Sequence, residues 1–160
     1  MAQAILSIIS DFGNRAENIN RAVWDIESYD NTHVTLVSRI YETNLDKPSI
    51  ESDNLFVAVI SVETEFDPYE LLEKIKTTEI NFGRTTKSDA PQVLDIDILD
   101  FEGAGIDDER LSIPHKLLTS RPYILAAYLN IFSNKEYKDR LRELGEDNIK
   151  VTGEGLYLPL

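Results

Sequence analysis

Val93-Leu94-Asp95-Ile96-Asp97-Ile98-Leu99-Asp100-Phe101 is the stretch on which the reading of this chain turns. Leu94, Ile96 and Ile98 alternate with Asp95 and Asp97, and an alternation of period two marks a strand with one apolar and one polar face. The spacing predicts a strand over Val93–Phe101, with the three aliphatic side chains in the core and both aspartates on the opposite face. Upstream, Asp67-Pro68 opens a helix with proline at its first position. Leu72, Ile75 and Phe82 line its apolar face, Glu79 falls on the same stripe, and Gly83 ends it. The segment from Arg84 to Pro91 between this helix and the strand reads as a mobile polar loop.

Working towards the start, Leu55–Glu63 is a second strongly β-prone run. A polar loop with Pro48 precedes it, from Thr43 to Asn54. Val34, Leu36 and Ile40 are expected on one face of an earlier strand. Ala16, Ile19, Val23 and Ile26 recur at helical spacing behind Asn14 as N-cap, and Ala4–Ser10 is a short buried strand. Towards the end, a turn at Gly103–Gly105 leads through Arg110–His115 to a helix around Ile124–Phe132. Another helix is expected from Lys135 to Leu144, with Tyr137, Leu141 and Leu144 inward and Gly145 as its cap. The tail Val151–Leu158 is expected as an edge strand. The order β-α-β-β-α-β predicts an α+β fold with a ferredoxin-like βαββαβ core, a mainly antiparallel sheet backed by helices, with extra C-terminal helices. Residues 1–160 are expected to make a single domain. A fold of this class does not by itself indicate an activity.

Composition narrows the chemistry. The chain has 160 residues, 42% hydrophobic and 28% charged, which is ordinary for a globular protein. It has no cysteine, which excludes a disulfide framework, thiolate zinc sites and thiol catalysis. The opening MAQAILSIISDFG has no basic leader and only a short apolar run, so neither a signal peptide nor a membrane span is expected, and the cytoplasm is the expected compartment. A net charge of -13 repels nucleic acid and anionic lipid, so neither nucleic acid nor membrane is expected as a partner. An anionic ligand would need a local basic cluster or a bound cation, and Arg84, Lys87, Arg110 and Arg121 cluster around the acidic pair. No oligomeric state follows from the sequence.

Asp95 and Asp97 would stand roughly 6.5 Å apart along the strand. Two such carboxylates either form a solvated polar face or hold a cation between them, and hard oxygen donors suit magnesium, which completes its shell with water and phosphate. Context adds to this. Residues 90–99 read A-P-Q-V-L-D-I-D-I-L, residues 109–115 read E-R-L-S-I-P-H, and Arg121 and Tyr123 follow. Together these segments resemble the signature of the 6-hydroxymethyl-7,8-dihydropterin pyrophosphokinases. The resemblance is recognisable over residues 1–130, with its specific motifs between Glu79 and Tyr123.

The resemblance implies a ferredoxin-like core and an ATP-dependent diphosphokinase of folate biosynthesis. Such an enzyme transfers pyrophosphate from ATP to the hydroxymethyl group of a reduced pterin and releases AMP. It implies Mg2+ at Asp95 and Asp97, with ATP as co-substrate. Arg84 and Lys87 match the start of the family's catalytic loop. Arg110, Ser112, His115 and Arg121 match positions that grip the nucleotide and its phosphates, and Glu79 matches an acidic residue near that nucleotide. Thr43 matches a threonine beside the pterin, Tyr123 an aromatic that stacks on it, and Phe56 the position of an amide that reads its edge. Read without the resemblance, Glu79 is an edge residue whose carboxylate reaches water, and Tyr123 a core residue at a helix start.

The chain also departs from the pattern. Gln92 replaces the signature arginine, and a neutral amide lacks that residue's bidentate fork. Thr86 and Asp89 stand where the loop carries a second arginine and a tryptophan, and the loop is about two residues short. Ile9-Ser10-Asp11 stands for Gly-Ser-Asn, Asn54-Leu55-Phe56 for Tyr-x-Asn, and Asn44 for a proline. Two alternatives follow: a diphosphokinase with a different hydroxymethyl acceptor, or a non-catalytic relative that binds a nucleotide or a partner on the inherited scaffold.

Overall fold

The structure, a computed structural model, describes residues 1–47, 52–83 and 93–159. Its sheet is built on β1 (Ala2–Ser10) and β4 (Leu55–Thr64), which pair antiparallel along their whole lengths. Most residues of these two strands are buried, because helices cover both faces. β5 (Asp95–Phe101) pairs antiparallel with the free side of β1. On the other side β4 carries β2 (Thr32–Val37) and β3 (Tyr41–Thr43), and β8 (Ile149–Val151) pairs with the outer edge of β3. The order β5-β1-β4-β3-β8, with β2 also on β4, is the split-βαβ order of the ferredoxin-like fold.

One face is covered by α1 (Arg15–Glu27) and α2 (Pro68–Asn81). Ile19, Val23, Ile26, Leu71 and Ile75 pack there on Leu6, Ile8, Ala58, Ile60, Ile96 and Ile98. The caps are the expected ones: Asn14 accepts from the Glu17 N–H, and Asp67 and Glu70 form a reciprocal capping box ahead of Pro68. Gly83 follows α2 with φ of 88°, a conformation that favours glycine. The other face is covered by α3 (Leu117–Ser120), α4 (Pro122–Ile131) and α5 (Lys135–Leu144), whose Leu118, Leu125 and Leu141 pack on Ile5, Val57, Val59 and Leu99. A small hairpin of β6 (Ile106–Asp107) and β7 (Ser112–Ile113) lies between β5 and α3.

Several details differ from the expectation. Leu36 is 42% exposed because the register slips at Thr35, between Val34 and Leu36. One extra residue turns every later side chain to the opposite face. Leu71 rather than Leu72 is the fully buried leucine of α2. The edge strand falls at Ile149–Val151, earlier than Val151–Leu158. The tail beyond it crosses to α1, where Asn20 donates to the Gly155 carbonyl and accepts from the Tyr157 N–H. The expected loop between α2 and β5 lies outside the described residues. Among the described residues no helix is long and apolar enough to cross a membrane.

Candidate active site

β5 sets the site. Its register against β1 slips by one residue, so that Leu6 faces Ile98 and Ile5 faces Asp100, with Leu99 as the extra residue. Ahead of this bulge the alternation is strict. Ile96 and Ile98 point into the α1–α2 core, and Asp95 and Asp97 lie on the α4 side, both half-buried. The bulge also builds the site's second wall: the His115 N–H donates to the Leu99 carbonyl at 2.8 Å. His115 follows a cis Ile113–Pro114 bond, and its Nε2 stands 3.9 Å from Asp97 Oδ1. Nδ1 accepts the Leu117 N–H at 3.1 Å, so the neutral ring carries its proton on Nε2, towards Asp97. Burial holds the imidazole below its usual range, against the opposing pull of Asp95. At neutral pH the ring is an uncharged donor beside the carboxylate pair.

The N-terminus of α4 contributes Arg121 and Tyr123. Pro122 at the first helical position fixes this entry. Tyr123 is 3% exposed, and its phenol donates to Asp46 Oδ2 at 3.1 Å. Arg121 Nε stands 3.6 Å from the same oxygen. Burial raises the Tyr123 phenol well above its usual range, and Asp46 and Asp95 add to the shift. The ring therefore sits within reach of the Asp95 field. Thr43, buried at the end of β3, accepts the Leu45 N–H at 3.2 Å. Beside it a pocket of about 200 Å³ is lined by Asn44, Asn54 and Asn148 among others.

The remaining expected residues are distributed differently. Glu79 is not the edge residue of the unaided reading: it is 6% exposed, and its carboxylate accepts the Ile96 N–H at 2.9 Å, bridging α2 to β5. Arg110 is drawn to α2, where it pairs with Glu73 at 2.7 Å and lies over the Tyr69 ring. Its turn is held by Asp108, which accepts from the N–H groups of Arg110 and Leu111 at 2.9 Å each. Ser112 lies half-buried on β7, opposite Asp107. Phe56 is corrected. Its side chain packs in the α1–α2 core, with the Arg15 guanidinium 3.9 Å from its ring centre. It therefore lies on the other sheet face from Tyr123; strand alternation brings Leu55 and Val57 to the α4 side instead. Arg84, Lys87, Thr86, Asp89 and Gln92 lie outside the described residues. No local sequence pattern marks Asp46 or Asp108, each a single aspartate in a turn.

The donor set fits magnesium. Asp95 and Asp97 supply hard oxygens on one face of β5. A cation held by two carboxylates keeps positions for water and phosphate oxygens. With Arg121 and a neutral imidazole donor nearby, the arrangement suits a polyphosphate.

Residues 5–133 match the family model described as 7,8-dihydro-6-hydroxymethylpterin-pyrophosphokinase. A 2-amino-4-hydroxy-6-hydroxymethyldihydropteridine pyrophosphokinase of Bacillus subtilis is 30% identical over 150 residues, 92% of this chain and 89% of the relative. One of the same description from Methylorubrum extorquens is 31% identical over 132 residues, covering 82% and 83%. Among solved structures, an HPPK-DHPS in complex with substrates superposes with a TM-score of 0.71 at 13% identity. It covers 94% of this chain, which spans 48% of that longer one.

Proposed function

The chain belongs to the 7,8-dihydro-6-hydroxymethylpterin-pyrophosphokinase family, and from that premise we propose that it transfers the pyrophosphoryl group of ATP to the hydroxymethyl group of 6-hydroxymethyl-7,8-dihydropterin, releasing AMP. The observation that carries this reading is the Asp95–Asp97 pair on the α4 face of β5, with His115 and the start of α4 beside it.

In this reading Asp95 and Asp97 hold magnesium, which when bound neutralises phosphate charge and fixes the triphosphate. The His115 Nε2–H donates to a phosphate or ribose oxygen without adding charge. Arg121 offsets charge that develops as the bridging oxygen leaves. The sequence match adds Arg84 and Lys87 as further cations at the phosphates and Ser112 and Arg110 on the nucleotide. Arg110 would have to exchange Glu73 for that ligand. Tyr123, buried in this structure, would have to be uncovered to offer its ring face to the pterin beside Thr43. Positioning of the two substrates and electrostatic stabilisation supply the rate, and the proteins of this chemistry need little else from their side chains. ATP and a small reduced pterin as substrates keep the cytoplasm as the compartment of this proposal.

The test is AMP formation from ATP and magnesium, with and without the pterin. AMP that appears only with the pterin supports the reading. No AMP under any of these conditions removes it. Asp95→Asn combined with Asp97→Asn is expected to lower turnover by at least about a thousandfold, in keeping with loss of the principal charge-neutralising group at a phosphoryl site. Unchanged turnover in that variant would show that the pair holds no essential cation.

A further inference from the structure

Asp46 joins the two groups that the resemblance assigns to different substrates. Its carboxylate accepts the Tyr123 phenol at 3.1 Å and lies 3.6 Å from Arg121 Nε. The contact spans 77 residues of chain. It is also built locally. Thr43 Oγ1 accepts the Leu45 N–H, which closes the turn after β3, and Asp46 follows with φ of 54°. That left-handed conformation is uncommon for a side-chain-bearing residue and is best tolerated by aspartate and asparagine. Leu45 packs into the α4 core and anchors the turn. The phenol it meets belongs to a ring that is 3% exposed. A hydroxyl so buried needs an acceptor, and a carboxylate is a strong one.

We propose that Asp46 is a positioning residue for the acceptor: it orients the Tyr123 ring, against which the reduced pterin stacks once a face of the ring is uncovered, and thereby sets acceptor affinity apart from nucleotide affinity. This rests on the function proposed above. Thr43 then acts through the same chain of contacts, by holding the turn that presents Asp46. Arg121 gains a counter-ion from Asp46 while no phosphate is bound, so loss of the carboxylate frees that guanidinium for the nucleotide.

The test is steady-state kinetics on the full chain with ATP, magnesium and 6-hydroxymethyl-7,8-dihydropterin. Asp46→Ala should raise the acceptor KM about tenfold, the scale of one lost charged hydrogen bond, while the ATP KM does not rise. Asp46→Asn retains a carbonyl acceptor and should stay within about threefold of the parent for both substrates. In a Tyr123→Phe background the Asp46→Ala change should lose its effect on the acceptor, because no hydroxyl remains to be held. A general loss of structure would move both KM values and would persist in that background. An active parent whose Asp46→Ala variant leaves the acceptor KM unchanged, or shifts both KM values alike, overturns the role of Asp46 alone. A parent that forms no AMP with the pterin overturns the proposed function and this role with it.

Discussion

Glu79→Ala will cost the fold about 3 kcal/mol, and Glu79→Gln about 1 kcal/mol. Glu79 is 6% exposed and its carboxylate accepts the Ile96 N–H at 2.9 Å. β5 is the outermost strand of the sheet on its side. The Ile96 N–H would otherwise be a buried donor with nothing to bond. Leaving such a donor unsatisfied costs about 1–3 kcal/mol. Removing the one methylene between Cβ and the carboxylate group adds about 1 kcal/mol of lost packing. Glutamine keeps an oxygen in the same place and loses only the ionic part of the bond. Urea denaturation at neutral pH, extrapolated linearly to water, resolves both differences. An alanine variant as stable as the parent would refute the reasoning, because desolvation of the carboxylate would then outweigh the bond it makes. Turnover adds a second axis. A glutamine variant that keeps its stability but raises the ATP KM would move Glu79 from scaffold to nucleotide.

Burial raises the Tyr29 phenol to about 12, so its protonated form is the one the fold prefers. The associated stability is complete below pH 10 and is lost as pH rises towards 12, by about 2 kcal/mol. The gap between the parent and Tyr29→Phe in denaturant midpoint should close over that window, and a constant gap would refute the assignment. Ser7 is fully buried opposite Asp97, and its hydroxyl has no hydrogen-bond partner among the described residues. Ser7→Ala should therefore be neutral or stabilise the protein by about 1 kcal/mol, and a clear loss in thermal denaturation would reveal a partner. Asn14→Ala removes the cap of α1 and should cost about 1 kcal/mol by the same measurement, whereas Asn14→Asp should cost less.

Short-range patterns in this chain were legible. The alternation of Leu94, Ile96 and Ile98 with the two aspartates located β5 and both of its faces, and Asn14, Asp67-Pro68 and Gly83 marked helix ends by rules that act over one turn. What escaped depends on a single extra residue or on distant partners. The slip at Thr35 turns Leu36 outward, and no composition signal distinguishes a bulged strand from a regular one. β3 and β8 have three residues each, too few for a period to show, and exist because each has an edge to pair with. Phe56 matches a motif position in sequence, and one step along a strand is enough to send a side chain through to the opposite face. Arg110 was read from its motif as a nucleotide contact, while its present partner, Glu73, lies 37 residues away. Asp46 is a polar residue in a loop until α4 arrives to give its carboxylate something to hold.

The extra residue at Leu99 acts as a phase break in β5. Before it, odd-numbered side chains face α4; after it, odd-numbered Phe101 returns to the α1–α2 core. The acidic half of the strand and its hydrophobic anchor are thereby indexed separately, and the carbonyl at the break fixes the backbone of His115. Deleting one residue here would force a choice between two bad outcomes. Either Phe101 leaves the core, or the whole acidic half rotates by one position and buries both carboxylates among the aliphatic side chains of α1 and α2. Sequence drift around this position is therefore constrained in length more tightly than in residue type.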